Sequence, residues 1–109
     1  MKRIHVFACC FVLTVATTAT LVAAPKGDAA KGKEVFAQCA GCHNADSTEK
    51  KMGPGLKDLF KHDKLVNGKK VTDANVREKI EQGGNGMPPY KDLLSDQEKD
   101  DVVAYLKTL

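Results

Sequence analysis

Five residues, Cys39-Ala40-Gly41-Cys42-His43, constrain this chain more than any other stretch. C-x-x-C-H is the spacing at which two thiols form thioethers with the vinyl groups of one porphyrin while the adjacent imidazole takes the iron. On a helical path Cys39 and His43 lie four apart and share a face, and Cys42 neighbours the ligand, so one flat ring meets all three. Two other chemistries use C-x-x-C. A thioredoxin-like pair needs a surrounding βαβ pattern, and a zinc site needs a second ligand pair at finger spacing. No Cys follows Cys42, and His62 is the only further His downstream. The residues therefore point to a single covalent haem c with its iron, ahead of a thiol-redox or zinc-binding protein.

The other two cysteines, Cys9 and Cys10, belong to a different segment. Lys2 and Arg3 precede an apolar run from Ile4 to Ala16, followed by threonines and then small residues up to Ala24. That is the layout of a secretory signal peptide over residues 1–24, cleaved after Ala23 or Ala24, which implies export to the periplasm. The alternative is an uncleaved anchor, for which Ile4 to Ala24 is just long enough at the roughly 20 residues a span requires. Residues 25–109 are then the single folded domain. Of the 17 basic residues two lie in the leader, leaving 15 against 14 acidic, a balance of +1. A nucleic-acid footprint is excluded by that balance. Two haem propionates would bring it to about zero, so net charge gives no direction for steering a partner.

Helix punctuation organises the domain. Asp28 is an N-cap for a helix to about Ala40, along which Gly32, Phe36 and Cys39 share a face. A glycine inside a helix costs up to about 1 kcal/mol relative to alanine, so Gly32 calls for a helix approaching closely. Met52-Gly53-Pro54-Gly55 forces a turn, and Leu56 to His62 is short enough for one small helix. Asp63 to Val71 reads as a loop despite its Asn67-Gly68 turn signal, because the flanks are short and lysine-rich. Thr72 or Asp73 opens a helix that Gly83-Gly84 stops near Gln82. Asn85 to Leu94 is irregular, since Pro88 and Pro89 fix φ and remove donors, leaving Met87 on a rigid strap. Ser95-Asp96-Gln97-Glu98 is a capping box for a helix running to the C-terminus, with Val102, Leu106 and Leu109 on one stripe.

With C-A-G-C-H at 39–43, G-P-G-L at 53–56 and G-M-P-P-Y at 86–90, the chain resembles a small class I monohaem c-type cytochrome over residues 26–109. The resemblance implies an all-α cytochrome c fold, in which N- and C-terminal helices cross and shorter helices and loops wrap one haem. It implies that Gly32 and Phe36 meet Tyr105 and Leu106. It implies too that the Pro54 carbonyl takes a hydrogen bond from Nδ1 of the ligand His43, which fixes the tautomer.

The second axial ligand has three candidates, Met87, Met52 and His62. Reach does not separate them, because the nine residues from His43 to Met52 extend to about 30 Å. Position does: Met52 is tied to the His43 side through Pro54, whereas Met87 sits on a remote strap, and the resemblance also favours Met87. His62 reads as a surface residue and Met52 as a packing residue. His43 and Met87 together occupy both axial positions and imply an electron-transfer protein, a one-electron carrier serving redox protein partners and not an enzyme. The domain is expected to be a monomer, touching a membrane only through partners or an uncleaved leader. The rival class is a peroxidase-type haem enzyme, which needs an open axial position.

About 85 residues with few aromatics make a marginal core, for which an attached haem supplies a rigid apolar plate. A Cys39→Ala, Cys42→Ala double variant, unable to attach haem, is expected to lose both its cooperative thermal transition and its native helix signal in circular dichroism. A cooperative melt with native helicity would overturn that expectation.

Overall fold

Each of the three α-helices starts on the side chain that caps it. In the computed structural model, which describes residues 26–109, they are α1 (Ala29–Phe36), α2 (Asp73–Gln82) and α3 (Asp96–Leu106). The expected leader lies outside the described residues. Asp28 accepts from the amides of Ala30 (2.9 Å) and Lys31 (3.3 Å), and Thr72 Oγ1 accepts from the amide of Asn75 (3.1 Å). Ser95 and Glu98 form the reciprocal box, with Glu98 N–H donating to Ser95 Oγ (3.1 Å) and Ser95 N–H to the Glu98 carboxylate (2.7 Å). Each such cap contributes about 1 kcal/mol by satisfying donors that the first helical turn cannot.

The expected all-α class holds: among the described residues there is no strand, only two isolated bridges, Lys64 with Lys70 and Gly84 with Met87. Three boundaries differ from expectation. Regular helix in α1 stops at Phe36 and not near Ala40, and the chain continues as tight turns, Cys39 and Ala40 both donating to the Phe36 carbonyl. Between Leu56 and His62 only a 3-10 turn forms, Leu59–Lys61, because Asp58 enters it in the left-handed region at φ 58°. α3 ends at Leu106, three residues short of the C-terminus, although Leu109 still packs on the core. The loop around Asn67-Gly68 is better ordered than its flanks suggest: Leu65 N–H donates to Lys69 O (2.8 Å) and Gly68 N–H to Leu65 O (2.9 Å).

α1 crosses α3 at Gly32. A Cβ there would overlap the main-chain carbonyl of Asp101 and lie 2.8 Å from the Tyr105 Cβ. Only glycine permits this approach, and it places the Phe36 ring against Tyr105, centroids 5.3 Å apart and tilted by 55°, the offset geometry aromatic pairs prefer. Gly32 thus meets Asp101 and Tyr105, slightly nearer the start of α3 than anticipated. The same crossing buries Asp101, whose carboxylate accepts from the Asp28 amide and from Gln97 Nε2, each at 2.8 Å. These two donors, the Asp28 amide foremost, hold the Asp101 carboxyl below the ordinary range. Around the crossing the buried core consists of Phe36, Val76, Ile80, Leu94, Val102, Val103 and Leu106.

Two outcomes follow from the crossing. Gly32→Ala forces the helices apart and is expected to cost about 1–3 kcal/mol in urea unfolding, the range for an overpacked contact. Because the Asp101 pKa is lower folded than unfolded, its contribution is complete at neutral pH and is lost as pH falls through the folded value. Asp101→Asn is expected to lower the melting temperature at pH 7 and to flatten its decline in acid.

Candidate haem site

The core of this protein is also the wall of a cleft. Phe36, Val76, Ile80, Leu94, Val102 and Leu106 all line a cavity of about 710 Å³, so the buried residues converge on a space and not only on each other. That volume falls within the roughly 300–1,000 Å³ of small-molecule and cofactor sites. Into the same cleft come Cys39, Cys42, His43, Pro54 and Met87, and the other two ligand candidates, Met52 and His62, line it as well.

The thiols and the imidazole arrive on turns that follow α1. Cys42 and His43 both donate to the Cys39 carbonyl, at 3.1 and 3.0 Å, which folds the motif back on itself. Cys39 and Cys42 are half-buried free thiols, and burial first, then the neighbouring Cys42, pushes the Cys39 thiol above its ordinary pKa. His43 Nδ1 lies 2.8 Å from the Pro54 carbonyl oxygen. A carbonyl only accepts, so Nδ1 carries the proton, and in a neutral ring that leaves Nε2 as the lone pair a metal takes. Pro54 is brought there by Gly53, whose amide donates to the Cys42 carbonyl (2.8 Å) and whose missing Cβ would otherwise strike the His43 ring. In the sequence Gly53 reads only as part of a turn and of the G-P-G-L motif; in the structure it also lets the imidazole and its partner meet.

Met87 is presented by a hairpin that the sequence reading missed. Gly84 and Met87 exchange both main-chain hydrogen bonds, at 2.9 and 3.1 Å, around Asn85 and Gly86 with φ of 54° and 89°. Positive φ at both central positions is what a type I′ turn requires, and Asn-Gly is its strongest sequence signal. The signal was present in the chain, but the prolines at 88 and 89 drew the segment into the irregular class. Beyond them the strap is fastened again, Tyr90 N–H donating to Ile80 O (3.0 Å) and Lys91 N–H to Glu81 O (3.2 Å), carbonyls that the end of α2 leaves free.

The rival ligands fall differently. Met52 is not a packing residue: it is 80% exposed, with its sulfur 3.9 Å from Cys42 Sγ. It still borders the same cleft, beside Cys42. His62 is exposed at the end of the 3-10 turn, at the cleft's margin. Among the described residues no group of three or more His, Cys, Asp or Glu could hold a metal ion, so the donor set for a protein-only zinc site is not assembled. The residues fit a haem: two free thiols, an imidazole with Nδ1 already engaged, a thioether and an apolar wall all face one cleft.

Comparison with known proteins gives the family. The family described as "Cytochrome C oxidase, cbb3-type, subunit III" matches residues 27–106. Cytochrome c6 of Synechocystis sp. is 39% identical over 80 residues, covering 72% of this chain and 63% of its own length. Cytochrome c2 of Blastochloris viridis is 31% identical over 106 residues, covering 82% and 84% respectively. Among solved structures, cytochrome c6 from the diatom Phaeodactylum tricornutum superposes with a TM-score of 0.61 at 29% identity, covering 75% of this chain and 93% of that one. Cytochrome cH from Methylobacterium extorquens gives a TM-score of 0.56 at 26% identity, covering 76% and 100%. The chain belongs to the cytochrome c family, with class I monohaem relatives, and its members carry one covalent haem c for one-electron transfer.

Proposed function

We propose that this chain is an exported one-electron carrier in which Cys39 and Cys42 hold haem c, His43 and Met87 are the axial ligands, and Pro54 orients His43. The observation that carries the reading is the 2.8 Å contact from His43 Nδ1 to the Pro54 carbonyl, made in the cleft that also receives both cysteines and Met87. Bound there, haem c supplies a one-electron iron couple whose potential an axial methionine raises relative to a more basic ligand.

The protein's own residues do the rest. The Pro54 carbonyl fixes the His43 tautomer and ring plane and strengthens its basicity toward a metal. Met87, on a strap tied down at both ends, would supply the second ligand opposite His43 and so leave no open position for peroxide. Leu94, Val102 and Leu106 exclude water from the interior. Held by Cys39, Cys42, His43 and Met87, the group would be fixed at four points, an arrangement suited to one-electron transfer with little rearrangement.

Residues 1–24 act as the signal peptide, cleaved after Ala23 or Ala24, and deliver the domain of residues 25–109 to the periplasm. Among the described residues no helix is long and apolar enough to cross a membrane. Donor and acceptor are separate redox proteins met as a monomer, through the small interfaces of under about 1,200 Å² usual for such encounters. A second reading, a carrier resident in a larger redox complex, is favoured by the oxidase-subunit description of the matched family. Co-purification of the exported protein with other redox subunits would establish it.

Absorption spectra of the exported protein, oxidised and reduced, test the ligand set. Wild type is expected to be low-spin with a methionine-type signature, and Met87→Ala to lose that signature and bind added ligands. An unchanged methionine-type spectrum in the variant would refute Met87.

A further inference from the structure

The strap bearing Met87 runs over residues 83–94, and the two helices it joins are cross-linked by one cluster of charged side chains. Arg77 on α2 donates from Nε to Glu81 Oε1 (3.1 Å) and from Nη2 to Asp96 Oδ1 (2.7 Å), while its Nη1 pairs with Asp100. Lys99 on α3 reaches Glu81 Oε1 at 3.3 Å and Asp96 Oδ1 at 3.7 Å with only 5% of its surface exposed. The cluster therefore fastens the second half of α2 to the first half of α3, and so brings together the two places where the strap begins and ends.

Glu81 belongs to both systems. Its carboxylate takes Arg77 and Lys99, and its main-chain carbonyl accepts from Lys91 N–H, next to the Ile80 carbonyl that holds Tyr90. A lysine buried to this extent is costly to desolvate and is retained only with its partners in place, unlike a pair on open surface. Fixing the ends of a loop also removes part of the entropy cost of keeping it closed.

We propose that Arg77, Glu81 and Lys99 are positioning residues that hold the Met87 strap against the cleft, acting through the main-chain carbonyls of Ile80 and Glu81. The proposal rests on Met87 as the second axial ligand. An added ligand such as imidazole reaches the iron only in molecules whose strap has opened, so its apparent affinity measures the open fraction.

The test uses the exported, haem-loaded chain. Imidazole is titrated against the methionine–iron charge-transfer band, and exchange of the Tyr90 and Lys91 amides is followed by NMR. Arg77→Leu and Lys99→Met are each expected to bind imidazole about tenfold more tightly and to exchange those two amides about tenfold faster, with α1 amides unaffected. Asp101→Asn serves as the control, because it weakens the same helix α3 on the side facing α1. It is expected to lower the melting temperature and leave both readouts at the wild-type values. Wild-type affinity and exchange in both cluster variants, or equal changes in the control, would overturn the proposal. Should Arg77→Leu fail to fold, Lys99→Met decides, since it keeps the length and apolar stem of the buried side chain. A Met87→Ala protein that retains its methionine band would remove the ligand assignment alone, and exchange at Tyr90 and Lys91 would still decide the clamp.

Discussion

The absence of one side chain at Gly32 sets the distance between α1 and α3, and the rest of the structure depends on that distance. With a Cβ overlapping the Asp101 carbonyl, α1 could not settle into its place. Phe36 would not reach Tyr105, and the turns that follow Phe36, which carry both thiols and the imidazole, would start from elsewhere. The site is thus positioned by a backbone contact some distance from it. Asp101 reinforces the contact from the other side, its carboxylate receiving the amide of Asp28, which is itself the cap of α1. Helix start and helix crossing share a single pair of residues.

The cleft explains why so small a domain has so few aromatics. Six of its buried apolar residues turn toward the cavity, so the interior is completed by what the cavity receives and not by side chains alone. Folding and cofactor attachment are thereby one problem. Packing of the polypeptide against itself is concentrated at the α1–α3 crossing, whereas α2 joins α3 both through Val76 and Ile80 in the shared core and through Arg77, Glu81 and Lys99. On the cysteine side a close backbone approach sets the geometry, and on the strap side charge pairing is added to the apolar core.

What was legible in the sequence was local chemistry. Asp28, Thr72 and Ser95 read as helix starts because a cap is made by residues two or three apart, and C-x-x-C-H reads as an attachment site for the same reason. Gly32 was legible as a demand for a neighbour, with α3 supplied by resemblance. Long-range charge pairing was not legible: nothing marks Arg77 as the partner of Asp96 and Asp100, nineteen and more residues away, because every such pair looks like ordinary surface charge until the helices are docked. The end of α1 at Phe36 and the loss of helix around Asp58 were also hidden, since both are settled by what the turns must reach. Asn85-Gly86 could have been read, and was masked by its prolines.

The turn at Asn85-Gly86 separates two properties that are usually entangled, where a side chain stands and what it is. A two-residue hairpin admits one register, so a one-residue insertion or deletion between Gly84 and Met87 would swing position 87 to the other face of the strap. A change of the residue at 87 leaves the turn and its anchors at Ile80 and Glu81 intact. The strap therefore behaves as a socket: its geometry resists drift, while the group plugged into it is open to exchange by a single codon.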